Sequence, residues 1–254
     1  MPALDTATRH AARAAVAFAL SAATLSAFGS DDPRSPAGGG NASASVGTTG
    51  GAAPGGGPLE AGGQLPAVAH APATVAQRDA QLRRIEQLQR TGKRADARRL
   101  LPLLKDPDAL VRQRAEHAIW SLWGRSGQAA IDRVFRTGVA QLGRREIAEA
   151  IETFTVVIDT MPGFAEAYNK RATARFLAGD LVGAMDDCQR AIDLEPGHFG
   201  SLAGYGHIYF RLDDMDMAIL YWRRALAVNP NLDSVARSID AAERILQVRG
   251  RLRT

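Results

Sequence analysis

One cysteine, five histidines and several crowded aspartates are the side chains of this 254-residue chain best equipped for chemistry. A thiol becomes a nucleophile or metal ligand only as the thiolate, which needs an electropositive, partly exposed setting. Cys188 instead falls in an apolar helical pattern, where a buried thiol behaves as a small hydrophobe. With a single cysteine no intramolecular disulfide can form. The histidines, at 10, 70, 117, 198 and 207, have no metal-ligand spacing of the kind that places two imidazoles one helical turn apart. His117 lies in a helical pattern and His198 in a turn, so both are read as structural. Asp186, Asp187, Asp213, Asp214 and Asp216 crowd around helix starts, where the helix dipole favours negative charge. That explains them better than a pair of acid–base carboxylates. The glycine triplets at 38–40 and 55–57 follow no strand and open no helix, so no phosphate loop is expected. The chain therefore reads as no enzyme, with no metal and no cofactor.

The elements that carry these residues repeat. Pro162, Pro196 and Pro230 are 34 residues apart, as are Ala150, Ala184 and Ala218. Small residues recur at Gly138, Ala172 and Gly206, and space-filling ones at Phe154, Cys188 and Trp222. The small residues mark where two helices approach closely. Each proline ends the second helix of its unit, because it lacks a donor and disfavours helix in the residue before it. The opening pattern of 165–196, AEAYNKRATARFLAGDLVGAMDDCQRAIDLEP, reads as two amphipathic helices broken at Gly179-Asp180. One such unit cannot bury its apolar face alone; stacking completes the core.

This period and pattern resemble the tetratricopeptide family over Ile131–Leu232, as three consecutive helix–turn–helix repeats at 131–164, 165–198 and 199–232. The fold expected is an all-α, right-handed helical-repeat solenoid. A final helix over Ser234–Val248 closes it with Arg237, Glu243 and Arg244 outward. In that family the first helices line a concave groove that receives peptides or partner helices. Carried over by position, the resemblance implies a groove of Phe135, Val139 and Leu142, then Asn169, Thr173 and Phe176, then Ala203, His207 and Phe210. The clamp with which some relatives hold acidic chaperone tails is missing, since Phe135 and Val139 stand at its lysine and asparagine positions. Arg171 and Arg175 stand where leucine and tyrosine are usual. Two readings follow: a salt bridge to Asp186 or Asp187 that locks the second repeat, or an anion site at Lys170 and Arg171 for a small anion or metabolite. The stretches AEAYNKRATARF, LEPGHFGSLAGYGHIYF and IWSLWGRSG resemble an exported bacterial branch of the family.

Ahead of the repeats, Arg9 and Arg13 precede the apolar run Ala14–Phe28 and a small-x-small step at Ala27-Phe28-Gly29. That order is read as a signal peptide over 1–30, cleaved near Gly29, which directs the protein to the periplasm or outside the cell. The alternative is an uncleaved membrane anchor, although the run is short of the roughly 20 residues a spanning helix takes. Residues 31–75, rich in Gly, Ala, Pro and Ser, read as a flexible tether. Helical patterning then runs over 76–128. It has Leu82, Ile85 and Leu88, then Leu100, Leu101 and Leu104, then a helix capped by Asp106 that carries Val111, Ala115, Ile119 and Leu122. It looks like one HEAT-type pair and is expected to cap the open end of the stack. Twelve basic and six acidic residues give this segment a net +6, against −1 for 129–254 from sixteen and seventeen. The charges alternate at helical spacing, as on a solvated face, so nucleic acid is not expected as a partner. The function expected is a protein–protein interaction scaffold of the cell envelope that binds a protein or peptide segment. Self-association through grooves or ends is compatible with it.

Overall fold

The computed structural model describes residues 74–251, and among these the secondary structure is entirely helical. The signal or anchor segment and all but the last two residues of the tether lie outside the described residues. Helix α1 is Val75–Thr91, followed by two short 3-10 segments, Arg94–Arg99 and Leu101–Lys105, and by α2, Ala109–Trp123. The repeats supply α3 (Ala129–Gly143) with α4 (Ile147–Thr160), α5 (Ala165–Ala178) with α6 (Leu181–Leu194), and α7 (Phe199–Arg211) with α8 (Met215–Val228). Helix α9, Asp233–Arg251, packs on α8 and closes the stack. No described helix is long and apolar enough to cross a membrane.

Local chemistry sets the boundaries. Thr74 and Gln77 form a reciprocal capping box at α1. Asp108, not Asp106, caps α2, accepting from the N–H groups of Leu110 and Val111. Asp106 sits two residues earlier and accepts from the Asp108 N–H. The stretch at 94–105 reads as helix in sequence but folds as two 3-10 pieces, with Pro102 near the start of the second. Asp180 and Asp214 cap α6 and α8.

The 34-residue period extends to the backbone. Arg145, Gly179 and Asp213 each adopt a left-handed conformation, with φ of 61°, 89° and 69°, at the turn inside each repeat. The turn needs that geometry whatever the residue; only the second repeat uses the glycine that adopts it without strain.

Close helix approach follows the small-residue positions. A Cβ on Gly138 would come within 2.7 Å of the Phe154 ring, and one on Gly206 would collide with the Trp222 indole. In the middle repeat the filler is the small Cys188, and the facing residue is Ala172, both fully buried. Two apolar cores result, one joining repeats one and two, the other joining repeats two and three with α9.

A third core belongs to the entry segment, and its position differs from the sequence expectation. It gathers Ile85, Leu100, Leu104, Val111, Ala115, Ile119, Leu122 and Trp123, and it includes Phe199 of the third repeat. The segment lies chiefly against repeats two and three, touching the first through Arg94 over the Phe164 ring and Gly124 beside Phe135. Trp120 and Trp123 reach His198 and Phe199. Arg98 pairs with Glu195 at 3.1 Å. Arg112 donates to Asn231 Oδ1 at 2.8 Å, and Asn231 Nδ2 donates to the Leu104 carbonyl at 2.8 Å. An apolar-period argument fixes which face of α2 is buried but not what it is buried against.

Candidate functional site

The junction between the entry segment and the repeats concentrates the buried polar side chains of the molecule. Pro196 ends the second repeat and His198 takes the N-cap position of α7, its Nδ1 accepting the Ser201 N–H at 3.2 Å. With Nδ1 an acceptor there, Nε2 carries the proton and donates to Glu166 Oε2 at 2.8 Å. Asn169 Nδ2 also donates to Glu166, at 3.1 Å, and the Ser201 hydroxyl donates to Asn169 Oδ1 at 3.0 Å. Lys170 Nζ lies 3.3 Å from the other Glu166 oxygen. Burial by itself would raise the Glu166 carboxyl, but the charge of Lys170 and the His198 contact outweigh it and hold the group below its ordinary value. Glu166 is thus held ionised in the interior.

Ser201, His198 and Glu166 line up in the order of a hydrolase triad, but the bonding is that of a helix cap. The Ser201 Oγ lies 3.1 Å from Nδ1, yet that lone pair already accepts a backbone N–H, and the hydroxyl proton goes to Asn169. The imidazole is not placed to receive a proton from the hydroxyl, as a general base must. The three residues are also buried, His198 beneath the Trp123 indole. Trp123 stacks flat on His198, with ring centroids 4.2 Å apart and planes 17° apart. Trp120 meets Phe199 edge-on at 4.9 Å and covers Lys170, whose Nζ is 5.7 Å from its ring centroid.

The residues expected to line a groove are mostly interior. Phe135 packs on Phe154 and Phe164. Leu142, Asn169, Thr173, Phe176, Ala203 and His207 are also buried, leaving Val139 and Phe210 half-buried. Ala203, Asn169 and His207 have 0 to 2% of their surface exposed, so substituting them would test folding rather than binding. Sequence position places these side chains on the first helices correctly but gives no measure of their cover.

The anion site expected at Lys170 and Arg171 does not form, because both cations already face carboxylates. Arg171 makes a bidentate contact to Asp187 at 2.9 and 2.8 Å and a third bond to Thr155. Arg175 joins the same carboxylate at 2.9 Å. Of the two aspartates considered, Asp187 is the partner and Asp186 is exposed. Asp187 therefore owes its position to two guanidiniums rather than to a helix dipole. Cys188 is buried, and burial, followed by the charge of Asp187, pushes its thiol far above the ordinary range, so it stays protonated. His117 lies exposed on α2, 3.1 Å from Gln89. No cluster of three or more His, Cys, Asp or Glu among the described residues could hold a metal ion.

His207 stands edge-on to Trp222 at 5.4 Å, and burial lowers its imidazole from 6.5 to about 4. The unfolded chain therefore binds a proton near pH 6.5 that the folded one refuses until about pH 4. Its share of stability is complete above the unfolded value and is lost as pH falls through that window. Between pH 7 and 4.5 the loss from this residue amounts to about 2–3 kcal/mol. Urea midpoints at the two pH values, for wild type and His207→Gln, check it: the variant should lose less. Equal losses would place the imidazole in contact with water.

No protein-family model matches the chain. A 108-residue stretch is 28% identical to a TPR repeat-containing protein of Rhizobium etli, covering 42% of this chain and 53% of that one. Over 60 residues it is 42% identical to human tetratricopeptide repeat protein 36, covering 24% and 32% respectively. The chain thus spans about half the length of the first relative and about a third of the second. Similar solved structures include the first TPR domain of Spaghetti (RPAP3) bound to an HSP90 peptide, with TM-score 0.45 and 21% identity over 46% of this chain and 93% of that one. The MamA protein gives a TM-score of 0.44 at 18% identity, over 68% and 86%.

Proposed function

We propose that this solenoid of tetratricopeptide repeats is a protein–protein interaction scaffold whose first helices receive a peptide or helix segment. One observation carries the reading: the starts of α5 and α7 already seat a helix of the same chain, α2, through two aromatic side chains. A surface that holds one helical segment by ring faces has the features of helix-in-groove recognition. Acidic chaperone tails do not fit it, because Phe135 is packed inside the first repeat. The apolar run behind Arg9 and Arg13 supports placing this scaffold in the bacterial envelope, exported to the periplasm.

The test is site-specific photo-crosslinking in intact cells. A benzoylphenylalanine at Val139 or Phe210, half-buried on first helices, is compared with one at Ala148, exposed on α4. Protein adducts from the first two positions and none from the third are expected. Adducts only at Ala148, or at none of the three, would reject the first-helix face as the binding surface.

A further inference from the structure

Helix α2 is held against the repeats in a way that shows which ligand this surface accepts. We propose that Lys170, His198, Phe199 and Gly200 form a docking site for a helical segment bearing two aromatic rings one turn apart, and that Trp120-x-x-Trp123 is its resident, displaceable occupant. This rests on the reading of the repeats as a binder of protein segments and specifies what the segment looks like.

The shape of the slot comes first. Trp123 lies parallel to the His198 ring, and Trp120 fits beside Phe199 because residue 200 is glycine; a Cβ there would come 2.6 Å from the indole. The slot takes flat rings. Positions i and i+3 share one helix face, so a single helical turn delivers both. At the rim Glu195, itself buried, accepts both bonds from the Arg98 Nε, at 3.1 and 3.2 Å.

Completeness of the layer below comes second. These hydrogen bonds of Glu166, Asn169, His198 and Ser201 run among the repeats themselves, so none of them breaks when α2 departs. The occupant is the poorer-satisfied side. Its Trp123 Nε1 is buried without any acceptor. Buried donors left unpaired weaken a contact, so a segment that satisfies its own ring N–H, or presents phenylalanine, would bind better.

Third is the attachment. Five residues, Gly124–Gln128, join α2 to α3, and Gly127 has φ 87° with open space around it. The short link keeps the occupant at high effective concentration, so a free segment competes poorly until the indoles are removed.

The probe is a fluorescein-labelled peptide of residues 107–125, followed by polarisation against the full chain. Trp120→Ala/Trp123→Ala should bind it about tenfold tighter than wild type, because the internal competitor is gone. Adding Gly200→Leu, which fills the space vacated by Trp120, should abolish that gain, and a peptide lacking both tryptophans should not bind. Should the double variant unfold, Trp120→Ala alone, at a half-buried ring, makes the same comparison. A folded variant that binds no better than wild type, or binding that survives Gly200→Leu, would overturn the proposal. Crosslinks at Val139 or Phe210 alongside such a failure would leave the scaffold reading standing. Peptide binding without those crosslinks would do the reverse.

Discussion

Asp187→Ala should destabilise the protein by about 3–5 kcal/mol, as removing one partner of a buried ion pair does. Asp187 has a 3% exposed side chain and answers two guanidiniums at once, Arg171 at 12% and Arg175 at 24%. Its loss would leave Arg171 with one hydroxyl partner, Thr155, and remove its counter-charge. Arg175 would keep the Gly183 carbonyl and a longer contact to Asp180 at 3.6 Å, so most of the effect comes through Arg171. Burial of a charge without its partner is the physical cause, so Arg171→Leu/Asp187→Leu should recover much of the loss. Urea unfolding of the three chains, with midpoints compared at equal slope, measures it. If Asp187→Ala cost less than about 1 kcal/mol, the value of an exposed pair, water would be reaching the triad and the lock would be a surface contact.

Trp222→Ala should cost a similar 3–5 kcal/mol, from lost burial and from the cavity left behind. The indole is fully buried in the core that joins repeats two and three to α9, and it sits on Gly206. The interest lies in how the two positions depend on each other. Gly206→Ala by itself overpacks the contact, typically by about 1–3 kcal/mol. Gly206→Ala with Trp222→Cys reproduces the Ala172–Cys188 pair of the second repeat and should lose less than the sum of its parts. A double-mutant cycle on thermal or urea unfolding reads the coupling directly. Additive losses would mean that the small and large positions pack independently, and that their shared period is not a steric pairing.

The repeat architecture was legible in the chain because it depends on local pattern. Prolines, alanines and small residues at a 34-residue step report helix ends and helix contacts between neighbours in sequence, and these neighbours are also neighbours in space. The helix break at Gly179-Asp180 and the final helix fell within three residues of the expected bounds. The left-handed turn residues escaped, since Arg145 and Asp213 do not share the glycine of the second repeat and only the backbone shows the recurrence.

Arg171 is an intermediate case. Its type at an inward position signalled a buried charge, and chain proximity offered Asp186 and Asp187; helical phase, fixed by packing, selected Asp187. Everything at the junction was decided by tertiary structure. Trp120 and His198 are 78 positions apart in sequence, and no periodicity relates a helix ahead of the repeats to a turn between them. An amphipathic face states that it must be covered, since apolar surface is driven out of water, but that drive has no direction and names no partner. The sequence by itself therefore determined three stacked repeats and the close-packed positions within them. Where the entry helix lands came from the fit of two indoles over His198, Phe199 and Gly200. That fit depends on shape, which exists only once the helices are packed.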